Sequence, residues 1–432
     1  MKENHRSSKR RESLQTLANS NGLINNTNLD ITEKILLHIP IEFFSRSRAV
    51  CKLWRKLLQK PKPGFLFAVC KSARRCQEIQ LFQGYSDEVS IDNDEPISYK
   101  TLAKIDLGLG TSRNIPVKLI RNKPHNPVIF GSCNGLVCLP VRKDDAQCLV
   151  YICNPMTGEY VYLPEMDFGE ISRPEVFGGF GYCQSTNEYK VVQVAYQYNR
   201  FNESGSFQVY ALGDGSGWRN KGEIRYTKQE RMVYANDALY WTERIGDYWY
   251  INVFDLAGEM FSTIPMPPCN DVNRGYKRLV SLNGCLCLCH VTVEKCVKDE
   301  DDPFMRKEDK RLVMWMLKKE QHKKSENVGY FPVDENDDSN LWVWIKEFSM
   351  AYKGEFNESM DYEPFAVTDN NHVLMWEDWD LRDCKVPILY DPDTENVIQL
   401  WNEDWRYAQA IPHMNSFVSL EDLGEKSAST SW

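Results

Sequence analysis

The period of the apolar positions changes near residue 65, and that change divides the chain. Within residues 28–58, Ile31, Ile35, Leu36 and Ile39 follow helical spacing on one face, and Pro40 should end that helix. Val50, Leu53, Trp54, Leu57 and Leu58 resume the spacing beyond a short stretch that holds Ile41, Phe43 and Phe44. Arg46, Arg48, Lys52, Arg55 and Lys56 take the opposite faces. Two short amphipathic helices with this many large apolar groups expose more than a hairpin can bury, so the pattern predicts a module that needs a partner surface. Residues 1–27 are polar and rich in Asn and Ser, which predicts a disordered tail.

From about Phe65 the period becomes two. Strand-turn-strand units at 151–164, 253–265 and 388–400 overlay on one another. Each ends its first strand at Asn or Asp, turns through Pro or Gly, and continues in a second alternating strand. Weaker copies lie at 207–212 with Trp218, and at 313–317 with 341–345. A second kind of unit precedes each hairpin, at 132–139, 179–192, 238–241, 282–288 and 365–376. The two kinds alternate at a spacing of about 45–60 residues, the signature of four-stranded propeller blades. Segments 65–69, 78–82 and 102–107 supply a further blade if residues 415–420 pair with them, a closure that removes exposed sheet edges. The expected fold class is mainly β. A helical module with its linker into the first strands occupies 28–70, a β-propeller-like domain of about six blades occupies 71–422, and residues 423–432 form a flexible tail.

Composition narrows the function. The 12% aromatic content sits in alternating segments, which favours strands, and the 42% hydrophobic fraction supports a folded domain. A net charge of -9 argues against nucleic acid as a partner, because phosphate binding needs a concentrated basic face. No apolar run approaches the roughly 20 residues that span a bilayer, so no membrane partner is expected. The first twelve residues are too charged for a signal peptide, and Lys9-Arg10-Arg11 reads as solvated charge. Fourteen cysteines without a leader point to free thiols in a reducing compartment, hence cytoplasm, nucleus or both.

Candidate chemistry is sparse. Cys285, Cys287, Cys289 and His290 are the one metal-like cluster, but alternation with Leu286 and Leu288 puts the thiols on one strand face, as in a core. The acidic runs at 299–302 and 334–338, with Lys318, Lys319, Lys323 and Lys324 between, read as a solvated insertion within one blade. Residues 213–217 are Gly-rich but lack a following Lys-Ser/Thr and a helix, so they form a turn and not a phosphate cradle. No catalytic residue, cofactor or metal is expected.

Taken in order, Asp30-Ile31-Thr32, Ile35-Leu36, Ile39-Pro40, Arg46, Arg48, Val50-Cys51-Lys52 and Trp54 resemble a plant F-box. The departures are Thr27-Asn28 in place of an opening Leu-Pro, His38 in place of an Arg, and Ser47 in place of an aromatic. The second region is similar to the F-box-associated, kelch-like domain of plant F-box proteins. That resemblance rests on the stretches at 131–138 and 154–159, on Leu163-Pro164, and on 180–182 with 186–191. It implies a non-catalytic substrate-receptor subunit of an SCF-type cullin ubiquitin ligase. Ile35, Leu36, Ile39, Pro40, Phe44, Val50 and Trp54 would dock on the Skp-type adaptor, and through it on the cullin and RING subunits. A protein target of unknown identity would be captured by propeller loops, since strand side chains are committed to holding blades together. Loops at 142–147, 165–176, 199–205 and 244–248 mix charge with aromatics, and Phe168, Phe201 and Tyr248 are their candidate anchors. The rival readings are an interaction scaffold without a role in degradation, and a propeller that binds glycans or hydrolyses a small substrate.

Overall fold

The computed structural model describes residues 63–430 outside the connections 71–77, 86–99, 107–117, 120–128, 143–147, 167–174, 197–203, 226–230, 269–276, 299–305, 321–329, 333–340, 356–359, 380–383 and 401–407 and single residues 247 and 369. Before residue 63 it describes Ser47, Val50, Cys51, Lys52, Trp54 and Arg55. Strands are numbered in chain order.

Alternation and tight turns build six antiparallel sheets. The first holds β1 (Pro63–Cys70), β2 (Glu78–Tyr85) and β3 (Lys100–Asp106). The second holds β4 (Lys118–Leu119), β5 (Gly131–Cys133), β6 (Leu136–Arg142), β7 (Cys148–Cys153) and β8 (Glu159–Tyr162). The third holds β9 (Glu175–Cys183), β10 (Glu188–Tyr196), β11 (Ser204–Ala211) and β12 (Arg219–Arg225). The fourth holds β13 (Val233–Ala235), β14 (Ala238–Ile245), β15 (Tyr248–Asp255) and β16 (Met260–Ile264). The fifth holds β17 (Lys277–Leu282), β18 (Cys285–Lys298), β19 (Arg306–Glu320), β20 (Tyr330–Pro332) and β21 (Leu341–Glu355). The sixth holds β22 (Met360–Val367), β23 (Val373–Trp379), β24 (Cys384–Tyr390) and β25 (Val397–Gln399). Two-residue turns such as Asn134-Gly135, with φ of 47° and 85°, join innermost to second strands in the twist that suits a hairpin.

The ring closes with β26 (Ala408–Met414), which pairs antiparallel with β1 from Pro63↔Met414 to Val69↔Ala408. Innermost strands β26, β5, β9, β13, β17 and β22 touch one another in that order and return to β26. The molecule is a six-bladed propeller. Alternation sends side chains from one strand to two neighbouring blades. Val191 of β10 packs toward the second blade with Phe180 and Ile152, whereas Val192 and Val194 pack toward the fourth with Phe207 and Trp241. Fully buried Phe254 joins that second seam, and fully buried Trp344 and Trp376 fill others, each contributing about 2–3 kcal/mol by burial.

Four expectations need correction. The closing strand is 408–414 and not 415–420. Residues 415–419 leave the sheet, and their alternation serves a strap across the second and third blades. Asn154 Nδ2 donates to the carbonyls of Ser416 and Val418, and Leu420 is fully buried in the seam between those blades. Nor is 423–430 a flexible tail. Buried Glu425 accepts the Gly213 N–H at 2.8 Å, and β27 (Ser429–Thr430) pairs with β8. Finally, the propeller begins at Pro63, and the charged stretch taken for an insertion contains β19, a continuous strand of 15 residues.

Candidate functional site

Among the seven residues expected to meet an adaptor, Ile35, Leu36, Ile39, Pro40 and Phe44 lie outside the described residues. Around the other two, the Arg55 N–H donates to the Cys51 carbonyl at 3.0 Å, a helical turn. Val50 is 61% exposed and Trp54 is half-buried.

Strand direction arranges the target-side candidates. Strands alternate within each blade, and every innermost strand runs the same way. Connections from second to third strands, and from one blade to the next, therefore share one rim. The strand ends Arg142 and Cys148, Tyr196 and Ser204, and Ile245 and Tyr248 border three of the candidate segments on that rim, and Met166 and Glu175 border the fourth. Phe168 and Phe201 lie outside the described residues.

Tyr248 does not sit in a loop. It opens β15, directly opposite Ile245 in a tight hairpin, and is 67% exposed. Paired residues share a sheet face, so Ile245, Tyr248 and Tyr250 form one exposed apolar patch. On the other face Lys277 Nζ stands 5.6 Å from the Trp249 ring centroid, a cation–π contact. Ile245 and Tyr250 escaped the sequence reading because 244–248 was taken as loop, although Tyr-Trp-Tyr beside a Gly-Asp turn is a hairpin signal.

Beside this hairpin the fifth blade rises past its neighbours. β17 begins at Lys277, opposite His290, but β18 continues to Lys298 and pairs with β19 down to Arg306. Those eight further residues extend about 25 Å beyond the same rim. β1 starts at the other rim, where Pro63 faces Met414.

A cavity of about 670 Å³ occupies the propeller axis. At its wall the Ser132 hydroxyl and His413 Nδ1 are 2.7 Å apart, His413 Nε2 lies 3.0 Å from Asn415 Oδ1, and Asn415 Nδ2 donates to Gln83 Oε1 at 2.5 Å. Because Asn415 Oδ1 accepts, Nε2 carries the proton and Nδ1 accepts from Ser132. Burial lowers the His413 pKa to about 4, so the ring is neutral near pH 7. The chain of bonds ties β5, β26 and β2 together and was invisible in sequence. A second polar group joins the third blade to the fourth. Lys190 Nζ, 2.9 Å from Glu259, also donates to the Leu256 carbonyl, and Arg219 and Lys221 each reach Glu259 at 2.6 Å. Burial opposes ionisation of Glu259, but hydrogen bonds from Lys221, Lys190 and Arg219 outweigh it and hold the carboxyl at about 2.

The cysteine cluster is core. Cys287 and Cys289 pack with Leu312, Met314 and Ile388, and burial pushes the Cys289 thiol up to about 12. Among the described residues no group of three or more His, Cys, Asp or Glu is placed to hold a metal ion.

Comparison with known proteins agrees with this architecture. Residues 101–363 match the family described as the F-box associated beta propeller domain. An F-box protein of Arabidopsis thaliana is 26% identical over 352 residues, covering 73% of this chain and 76% of the relative. A putative F-box protein of the same plant is 26% identical over 324 residues, with coverage of 70% and 71%. An F-box/kelch-repeat protein, also from that plant, is 26% identical over 302 residues, with coverage of 67% and 78%.

Proposed function

The chain belongs to the F-box-associated β-propeller family of plant F-box proteins, and on that premise we propose that it is the substrate-receptor subunit of an SCF-type cullin ubiquitin ligase. The observation that carries this reading is the family's propeller following directly on the F-box-like order of residues 28–58. Ile35, Leu36, Ile39, Pro40, Phe44, Val50 and Trp54 dock on the Skp-type adaptor, which brings the cullin and RING subunits. The target is a protein held at the rim that carries Ile245, Tyr248 and Tyr250, with Phe168 and Phe201 as further proposed anchors. Tyrosine-rich patches of this kind supply binding hot spots. The β1 end of the propeller faces away from this rim, so adaptor and target need not compete for one surface.

The subunit performs no chemistry itself. Holding the target beside the charged conjugating enzyme converts a bimolecular transfer into an effectively intramolecular one. The work takes place in the cytoplasm, the nucleus or both. Proximity labelling with and without proteasome inhibition tests the reading. A receptor yields proteins that accumulate near it only under inhibition, whereas identical labelled sets in both conditions would point to an interaction scaffold.

A further inference from the structure

The outermost strand of each blade offers unpaired main-chain groups along one side, and most such edges of this propeller are protected against pairing with another chain. β12 carries four charged residues in seven and β3 three in seven. β8 is covered by β27, β25 is only three residues long, and β20 ends in Pro332 beside a β21 that carries Lys346, Glu347, Lys353 and Glu355. β16 is the exception. Its sequence, Met260-Phe261-Ser262-Thr263-Ile264, holds neither charge nor proline, and Met260 is 67% and Phe261 43% exposed. Among the described residues no strand pairs with its outer side.

Hairpin parity shows which main-chain groups are open. The two-residue turn between Ile245 and Tyr248 makes them a hydrogen-bonded pair, so the even-numbered residues of β15 bond to β14. The Leu256 N–H, which donates to the Asp237 carbonyl at 3.1 Å, keeps that parity. The odd-numbered residues of β15 therefore bond to β16, where their partners are Met260, Ser262 and Ile264. Phe261 and Thr263 turn their N–H and C=O groups outward.

We propose that β16 is a dimer interface, pairing antiparallel with β16 of a second copy of this chain about a twofold axis at Ser262. That register sets Phe261 of each copy opposite Thr263 of the other, so their outward groups exchange main-chain hydrogen bonds. On one sheet face Phe261 meets Thr263, and on the other Met260 meets Ile264, pairs of the kind that stabilise sheets. Self-complementarity identifies the occupant. The same five residues match every outward group of the edge without opposing like charges, although the chain carries a net charge of -9. The interface stands independently of the receptor reading, because it needs neither adaptor nor target.

Sedimentation equilibrium of the purified full-length chain over about 1–100 μM tests it. The weight-average mass should rise from one chain toward two, and added salt, which screens the net charge, should not weaken the rise. Thr263→Pro removes an outward N–H at an edge, where sheets tolerate proline, and should leave a monomer. Ser262→Lys and Ser262→Glu, at an exposed position, should each weaken the dimer about fivefold or more, because the twofold axis opposes like charges. An equimolar mixture of the two should restore it. Melting curves establish that each variant is folded, and the Ser262 pair carries the test should the Pro variant unfold. A chain that stays monomeric at about 100 μM overturns the proposal and leaves the edge to a different protein. So does a dimer that survives in folded Thr263→Pro, or one that the mixed Ser262 charges fail to restore.

Discussion

Ser132 and His413, 281 positions apart in sequence, meet through a 2.7 Å hydrogen bond that joins the second blade to the strand closing the ring. Propeller closure therefore rests on a polar contact as well as on the β1–β26 ladder. The bond requires a neutral His413, which makes closure sensitive to acid.

His413 has a folded pKa near 4 against an ordinary 6.5, so the unfolded chain binds the extra proton first as pH falls. Its stabilising contribution is present above about pH 6.5 and is lost as pH falls toward 4, by roughly 3 kcal/mol in all. Urea denaturation between pH 7 and 4 should show this slope in the wild type and a flatter one in His413→Gln.

The strap makes a second prediction. Ending the chain at Met414 preserves β26 but removes Leu420 from its seam and strips Asn154 of two acceptors. The loss should be about 3–6 kcal/mol. Glu425→Ala alone, which leaves the Gly213 N–H without its carboxylate, should cost about 1–3 kcal/mol. Chemical denaturation of both variants provides the check, and wild-type midpoints would show that the strap is dispensable.

Glu259 gathers Lys190, Arg219 and Lys221 across the seam between the third and fourth blades. Glu259→Gln should destabilise by about 2–4 kcal/mol, because Lys190 then keeps its buried charge with less compensation. The Glu259 pKa is depressed, so its contribution is present above about pH 4.5 and is lost as pH falls toward 2. That window lies below the one set by His413, and a pH series of denaturation curves separates the two.

At the rim, Ile245→Asp combined with Tyr248→Ala and Tyr250→Ala removes an exposed patch without opening the core. Target capture should fall by about a hundredfold or more while the melting temperature stays within a few degrees of wild type. Retention of labelled partners by this triple variant would move recognition to another part of the rim, the rise of the fifth blade first.

Much of the fold was legible because its signals are local. Asn134-Gly135 and Asn283-Gly284 announce their hairpins, and Val191 to Val194 show the seams on both sides of one strand. The closing strand was not legible. Gln409 and His413 are buried in β26, and their polarity is satisfied by Ile129 and Ser132, more than two hundred residues away. Only the finished ring supplies those partners, so alternation pointed to 415–420, where Leu420 is buried for a different reason. The rim patch was half legible. Tyr248 was found, but its neighbours were masked by the reading of a hairpin as a loop.

The central claim is that this chain connects an adaptor to a target, and affinity co-purification of the Skp-type adaptor tests it most directly. Leu36→Ala with Trp54→Ala removes two anchors worth about 2 kcal/mol or more each, roughly a thousandfold in affinity. The account predicts that the wild-type chain brings down adaptor and cullin, whereas the double variant, with an unchanged propeller melting transition, brings down neither. Equal recovery of the adaptor by both chains would contradict it.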